Sequence, residues 1–331
     1  MANETTSSMA ATVKSAYDRR LMLRALPRLL HGRWGRTATF RGYKDWEIRR
    51  WESLSAVTTS LTEGVTPVEH AAPNISTYTL TPEWYGAWVG YTDKLEIQAY
   101  DPVILETSAI LGEQAGLSID TLIRDELVAN ASIDYAGGAT SRATIDVAND
   151  KISYADIVYD VATLEAEGAR PADGGMYPLL LHPHSWATLM QDPTFVALFT
   201  REGGDSMRSG LIGTIVNCKV FLSSNVKEWA DSGQNSTEDV YSALFVGMES
   251  YGLAGMSGMA PNWNADGGPG LIWGELTGRP VQVASIIVKD LGETGLDPLD
   301  QRGTIGWKVT HDQIVLNPNW IISLEHANDF S

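Results

Sequence analysis

Apolar residues recur at two periods along this chain, and each change of period marks an element. Val13, Tyr17, Leu21 and Arg24 keep helical spacing until Pro27 ends or kinks the segment. Thr37, Thr39 and Arg41 then alternate with Ala38, Phe40 and Gly42, the period of a strand. A turn-rich tract with Gly64, Pro67 and Pro73 separates it from a second extended tract dense in Tyr, Trp and Thr. Strand, long loop, strand predicts a long β-hairpin over 35–95. Its aromatic residues, Tyr78, Trp84, Tyr85, Trp88 and Tyr91, exceed what a two-stranded ribbon buries alone. They either pack on the body of the protein or meet a partner.

Residues 101–130 read as one long helix, with Asp101 as N-cap and Pro102 at its first position. Ile104, Leu111, Ala115, Leu122 and Ala129 lie within about 20° of one line at 100° per residue. Thirty such residues reach roughly 45 Å. Gly112 and Gly116 inside it each cost about 1 kcal/mol relative to Ala, which predicts close packing there. A second helix follows Ser153, with Asp156 three residues on and Gly168 closing it.

Beyond it short strands and helices alternate. "MYPLLLHP" is a buried strand, "HSWATLMQDPTFVALF" is helical in pieces, "SGLIGTIVNCKVFLSSN" is strand-turn-strand, "VYSALFVGMESYGLAGM" is a strand entering a Gly- and Met-rich loop, and "RPVQVASIIVKDL" is a strand. The terminal "GTIGWKVTHDQIVLNPNWIISLEHA" predicts a hairpin, 303–326. Ile305, Trp307 and Val309 line one side of it, Ile314 and Leu316 the return, and Trp320, Ile322 and Leu324 a last strand. The fold class is α+β.

Composition adds bounds. With 331 residues the chain can bury a large core in one to three domains. No run of about 18 apolar residues exists to span a membrane. The first twenty residues lack the apolar stretch of a signal peptide, which predicts a cytoplasmic protein. Cys218 is the single cysteine, so an intrachain disulfide is excluded. The net charge of −17 hides an asymmetry, because residues 1–50 carry +7 and leave −24 for the rest. Arg19, Arg20, Arg24, Arg28, Arg33, Arg36 and Arg41 recur every few residues. Such an arm binds nucleic acid or lies on an acidic surface of a neighbouring copy. The acidic body favours the neighbour, since phosphate contacts need positive charge.

Candidate chemistry is sparse. The chain has no phosphate-binding loop, no dinucleotide fingerprint, no H-E-x-x-H and no G-x-S-x-G elbow. His182 and His184 flank Pro183; two apart on a strand, both rings would face one metal ion. A zinc site needs three or four ligands, and the other imidazoles, His31, His70, His311 and His326, are isolated in sequence. With Pro183 opening a helix, His182 ends the strand and the rings diverge, which is the reading adopted. A metal-dependent hydrolase using His182 and His184, or a β-rich carbohydrate-binding or adhesion protein using Tyr78 to Tyr91, are the alternatives. No catalytic, cofactor-binding or metal-binding residue is assigned.

"LTEGVTPVEHAAPNISTYTLTPEWYGAWVGYTD", "DPVILETSAILGEQAGLSIDTLIRDEL" and "YAGG" resemble the major capsid proteins of tailed bacteriophages, in the branch typified by the coliphage N-four capsid protein. "LLLHPHSWATLMQDPTF", "GLIGTIVNCKVFLSSN" and "GWKVTHDQIVLNPNWIISLEHA" are similar to that family's later landmarks, so the resemblance covers roughly 35–326. It implies a Hong Kong 97 type capsid fold and a non-enzymatic protein of the virion, assembled in the host cytoplasm, whose pentamers and hexamers form an icosahedral shell around double-stranded DNA. Residues 1–34 become an N-terminal arm and 35–95 an extended loop lying on the next subunit. Residues 96–170 and 291–331 become a peripheral domain with spine helix 101–130, and 171–290 an axial domain. The implied contacts between subunits use Arg19, Arg20, Arg24, Arg28, Leu61, Thr62, Glu63, Pro67, Tyr78, Trp84 and Trp88. The implied partners are further copies of the chain, then portal, scaffolding and decoration proteins, with packaged DNA held only weakly and no membrane and no cofactor.

Overall fold

The structure is a computed structural model. It describes residues 30–40, 45–52, 54–67, 69, 72–98, 103–201, 214–256, 285–289, 299 and 301–330. Two sheets and a ribbon organise them. The first sheet is built on β13 (Arg302–Val315), which pairs with β4 (Glu83–Thr92) along one edge. Its other edge pairs first with β12 (Ser285–Lys289) and then with β11 (Tyr251–Met256). Beyond β11 lies β1 (Arg36–Phe40), in parallel. The second sheet runs β5 (Ser132–Tyr135), β14 (Ile321–His326), β10 (Val240–Val246), β6 (Tyr177–Leu181), β8 (Cys218–Leu222), β7 (Thr214–Ile215), with β9 (Glu228–Trp229) against the end of β10. The ribbon is β2 (Trp46–Trp51) with β3 (Ile75–Leu80).

A short helix, α1 (Asp93–Gln98), follows β4, and α2 (Val103–Asn130) lies across the first sheet. At 28 residues α2 is about 42 Å long, close to the predicted span; Asp101 and Pro102 fall outside the described residues. Leu111, Ala115, Ile119 and Ile123 bury against Ile305, Trp307 and Val309 of β13. Gly112 and Gly116 are buried as expected, whereas Ala129 is exposed. The buried line steps by four residues from Leu111 to Leu127, drifting off the predicted straight line as the helix crosses a twisted sheet.

The helix α3 (Tyr154–Ala166) has the expected cap: Ser153 accepts from the Asp156 N–H, the Asp156 carboxylate accepts from the Ser153 N–H, and Gly168 turns out at φ +71°. All five residues of β6 are buried, and α4 (Pro183–Leu189) and α5 (Pro193–Arg201) are the helical pieces after it.

Two predicted hairpins are corrected. Residues 302–315 form one strand, because "VTHDQI" holds no Gly, Pro or Asn to turn it; the break comes at Asn317-Pro318-Asn319. β14 does not pair with β13. All six of its residues are buried, and a strand covered on both faces belongs inside a sheet, here between β10 and β5. Likewise 35–95 is not a single hairpin. Only β2 and β3 pair with each other, while β1 leaves for β11 and β4 for β13. Sheet membership therefore crosses the expected segments: Tyr251–Met256 stands with β13, and Ile321–His326 with β10.

Candidate assembly surface

The chain enters the described body at Leu30, where a buried clasp holds it to α2. Asp120 Oδ1 accepts from the Leu30 and His31 N–H groups, both at 2.8 Å. Its Oδ2 faces His31 Nδ1 and the Asn225 amide, again both at 2.8 Å. The Tyr251 hydroxyl donates to the His31 carbonyl at 2.5 Å and accepts from the Trp34 N–H. A Cβ on Gly35 would sit 2.4 Å from the Tyr251 ring, so the backbone there must be bare. Burial pulls the Asp120 carboxyl upward, but the hydrogen bonds from His31 and Asn225 outweigh it and leave it below the ordinary carboxylate range. His31 and Trp34 are thus core residues, and an arm ending at 34 is too long. Arg19, Arg20, Arg24 and Arg28 lie outside the described residues.

The ribbon rests its base on the first sheet and leaves its far end bare. Ile48 and Leu80 bury with Ala254 and Leu316, and Tyr78 packs half-buried on that cluster. Arg50 donates to the Leu316 carbonyl at 3.2 Å and lies 5.6 Å from the Trp320 ring. Past them the apolar side chains face solvent: Trp51, Leu54, Val57, Leu61, Val65 and Ile75 are all exposed, Leu61 at 77%. Thr62, Glu63 and Pro67 are exposed on the same loop.

The aromatic residues of β4 divide by strand alternation. Tyr85 packs toward α2 and Tyr91 is buried, while Trp84 and Trp88 point away, 52% and 71% exposed. The Lys308 ammonium sits 3.8 Å over the Trp84 ring. The structure thus brings Leu61, Thr62, Glu63 and Pro67 together on one loop, and Trp84 with Trp88 on one sheet face. It leaves Tyr78 as a packing residue. Sequence reasoning missed the clasp and Lys308. No motif marks either one, and at 100° per residue Asp120 lies roughly 160° around α2 from the predicted apolar line.

Among the described residues no group of three His, Cys, Asp or Glu has the arrangement to hold an ion. Pro183 does open a helix, with His182 as its N-cap; the His182 Nδ1 accepts from the His184 N–H at 3.2 Å. The rings do not diverge as expected. Capping folds His182 back until the two rings meet edge to face at 4.7 Å, with Tyr241 beside one and Phe330 stacked on the other. Burial, and then His184, depresses the His182 pKa.

A model of the phage capsid protein family matches residues 77–323. Solved structures similar to the chain include the capsid of Ralstonia phage GP4, with 15% identity, 89% of this chain and 87% of that one covered, and a TM-score of 0.62. The capsid of cyanophage P-SCSP1u follows at 12%, 91%, 89% and 0.62. The capsid asymmetric unit of cyanophage Pam1 stands at 10%, 93%, 93% and 0.64. No curated protein matches.

Proposed function

The chain belongs to the phage capsid protein family, and from that premise we propose that its copies close head to tail into rings of five and six that tile an icosahedral shell around double-stranded DNA. As a major capsid protein it is a structural component of the virion, with the α+β architecture of the Hong Kong 97 type. The observation that carries self-assembly is the bare end of the ribbon. Six large apolar side chains from Trp51 to Ile75 project from a body that has ample core to hide them. A monomer gains nothing by exposing such a strip; a contact between copies buries it.

In this reading the segment before residue 30 is an arm that docks on a neighbouring copy, and the ribbon with its loop is the extended loop. The helix α2 with the first sheet forms the peripheral part, and the second sheet the axial part. Arg19, Arg20, Arg24 and Arg28 contact a neighbour through the arm; Leu61, Thr62, Glu63 and Pro67 do so through the loop. Portal, scaffolding and decoration proteins are further partners. The protein performs no catalysis, and its −24 body keeps packaged DNA free to slide because like charges do not adhere. Sedimentation and negative-stain microscopy of the purified chain test the proposal. Rings, shells or tubes are expected, and a monomer at all concentrations and salts overturns it.

A further inference from the structure

Five rings run in a line across one end of the second sheet, and both ends of the line belong to one short segment. Phe330 stacks on His184 with centroids 4.6 Å apart, and His184 meets His182 edge to face at 4.7 Å. His182 lies 5.1 Å from Tyr241, which stacks in turn on His326 at 6.4 Å. His326 closes β14 and Phe330 stands four residues on, so residues 326–330 embrace the start of α4 and of β10. Polar contacts fasten the segment. The Ala327 N–H donates to the Asp150 carbonyl at 3.0 Å and the Asp329 N–H to the Thr188 hydroxyl at 3.1 Å. The Lys151 ammonium pairs with the Asp329 carboxylate.

Three of the five rings are imidazoles, and the site suits them uncharged. His326 is fully buried. Its Nδ1 faces the Ala327 carbonyl at 3.0 Å, and since a carbonyl can only accept, Nδ1 carries the proton. Nε2 therefore holds the lone pair, and among the described residues it has no hydrogen-bond partner. A proton placed there would make a cation without an acceptor in a closed site. Burial accordingly drives His326 down to about 4, and burial with His184 depresses His182 against the pull of Glu228. The other charged groups do not offset this. Glu228 accepts from the Tyr241 hydroxyl at 3.1 Å, and Glu325, next to His326, is committed to Arg142. Asp239 lies at the entry to β10, and Lys151 is taken by Asp329. Tyr241, pushed up to about 12, is silent in acid.

We propose that residues 326–330 form an acid-released latch: neutral imidazoles hold the segment against α4 and β10, and protonation lifts it off. An imidazole in water titrates near 6.5, whereas His326 in the closed segment does so at about 4. Between those values the lifted segment binds a proton that the closed one does not. Each pH unit of acidification there favours lifting about tenfold through His326 alone, and His182 adds in the same direction. Above about pH 6.5 both states are neutral and the fastening is whole. The lift is local, because Ile321–Glu325 stay paired with β10 and Ile322–Glu325 with β5. It needs only one copy of the chain, so it stands independently of how copies assemble.

The test places a thiol under the latch. Ala327 is fully buried, and Cys218, buried in the core, serves as the reference for global unfolding. The full-length Ala327→Cys chain is labelled with a maleimide, and each rate is divided by that of the urea-unfolded chain at the same pH. The corrected rate of the new thiol should be at least tenfold higher at about pH 5 than at about pH 7.5, with Cys218 protected at both. Adding His326→Phe should flatten that dependence. His182→Asn, which keeps the cap but takes no charge, should reduce it. Phe330→Ser, at an exposed site, should raise labelling severalfold at about pH 7.5, which a segment held by its backbone alone would not show. Equal corrected rates at the two pH values would overturn the latch. Cys218 labelling in step with the new thiol would overturn it as global unfolding, and so would a pH dependence that survives both histidine substitutions.

Discussion

His31 and Asp120, 89 residues apart in sequence, meet at 2.8 Å in a site closed to solvent, and this pairing fixes where the chain joins its body. Replacing Asp120 with Ala strands two backbone N–H groups, an imidazole and the Asn225 amide in the dark. Urea unfolding should register a loss of about 3 kcal/mol. Because hydrogen bonding holds the native carboxyl below its unfolded value, its contribution is whole above about pH 4 and drains away as pH falls through the native value. An acid titration of Asp120→Ala should lack that component.

His182 caps α4 through its ring. His182→Ala should cost about 1 kcal/mol, and His182→Asn, which caps in the ordinary way, should return most of it. The native imidazole is depressed below its unfolded value. Stability from this site is therefore full above about pH 6.5 and shrinks as pH falls through the native pKa. Elemental analysis should find the same metal content in the unaltered chain and in the double variant with His184→Ala; a loss would revive the metal reading.

Asp160 is 1% exposed on α3, and burial, then Asp134 and Asp156, push its pKa up to about 9. Between about pH 4 and pH 9 the native chain holds a proton that the unfolded chain has released, so stability falls as pH rises across that window. Asp160→Asn removes the titration. The variant should be more stable at pH 8 by about 1–3 kcal/mol, with a flatter pH profile in denaturant midpoints; equal slopes would contradict the assignment.

Arg142 donates from Nε and Nη2 to the two carboxylate oxygens of Glu325, fully buried on β14, at 2.9 and 2.5 Å, and lies 3.7 Å over Trp229. Arg142→Met abandons a buried carboxylate and should cost about 3–5 kcal/mol. Glu325→Gln in the same chain should recover a good part of that, measured by a double-mutant cycle.

Local pattern sufficed wherever one segment satisfied itself. The Ser153–Asp156 box, the Gly168 exit, the buried run of β6 and the length of α2 all depend on residues within a turn or two. The two failed hairpins show the limit. Alternation in 302–315 announces a strand, but nothing local says which strand lies beside it, and β13 took β4, β11 and β12 from distant parts of the chain. The exposed loop residues Leu61, Thr62, Glu63 and Pro67 were legible through resemblance alone, since exposure leaves no period in a loop.

The sequence by itself determined the α+β class, the places of α2, α3, β6 and β10, the acidic body with its basic first segment, and the capsid resemblance that the family match upholds. Those follow from period, caps and charge, which are local or additive. Only the tertiary structure decided that β14 sits inside the second sheet, that His31 belongs to the core, and that Trp84 and Trp88 share a bare face with Lys308. Strand alternation says that two residues share a face; which face gets covered depends on what packs against it. Here α2 covers one side of the first sheet, and the base of the ribbon covers part of the other.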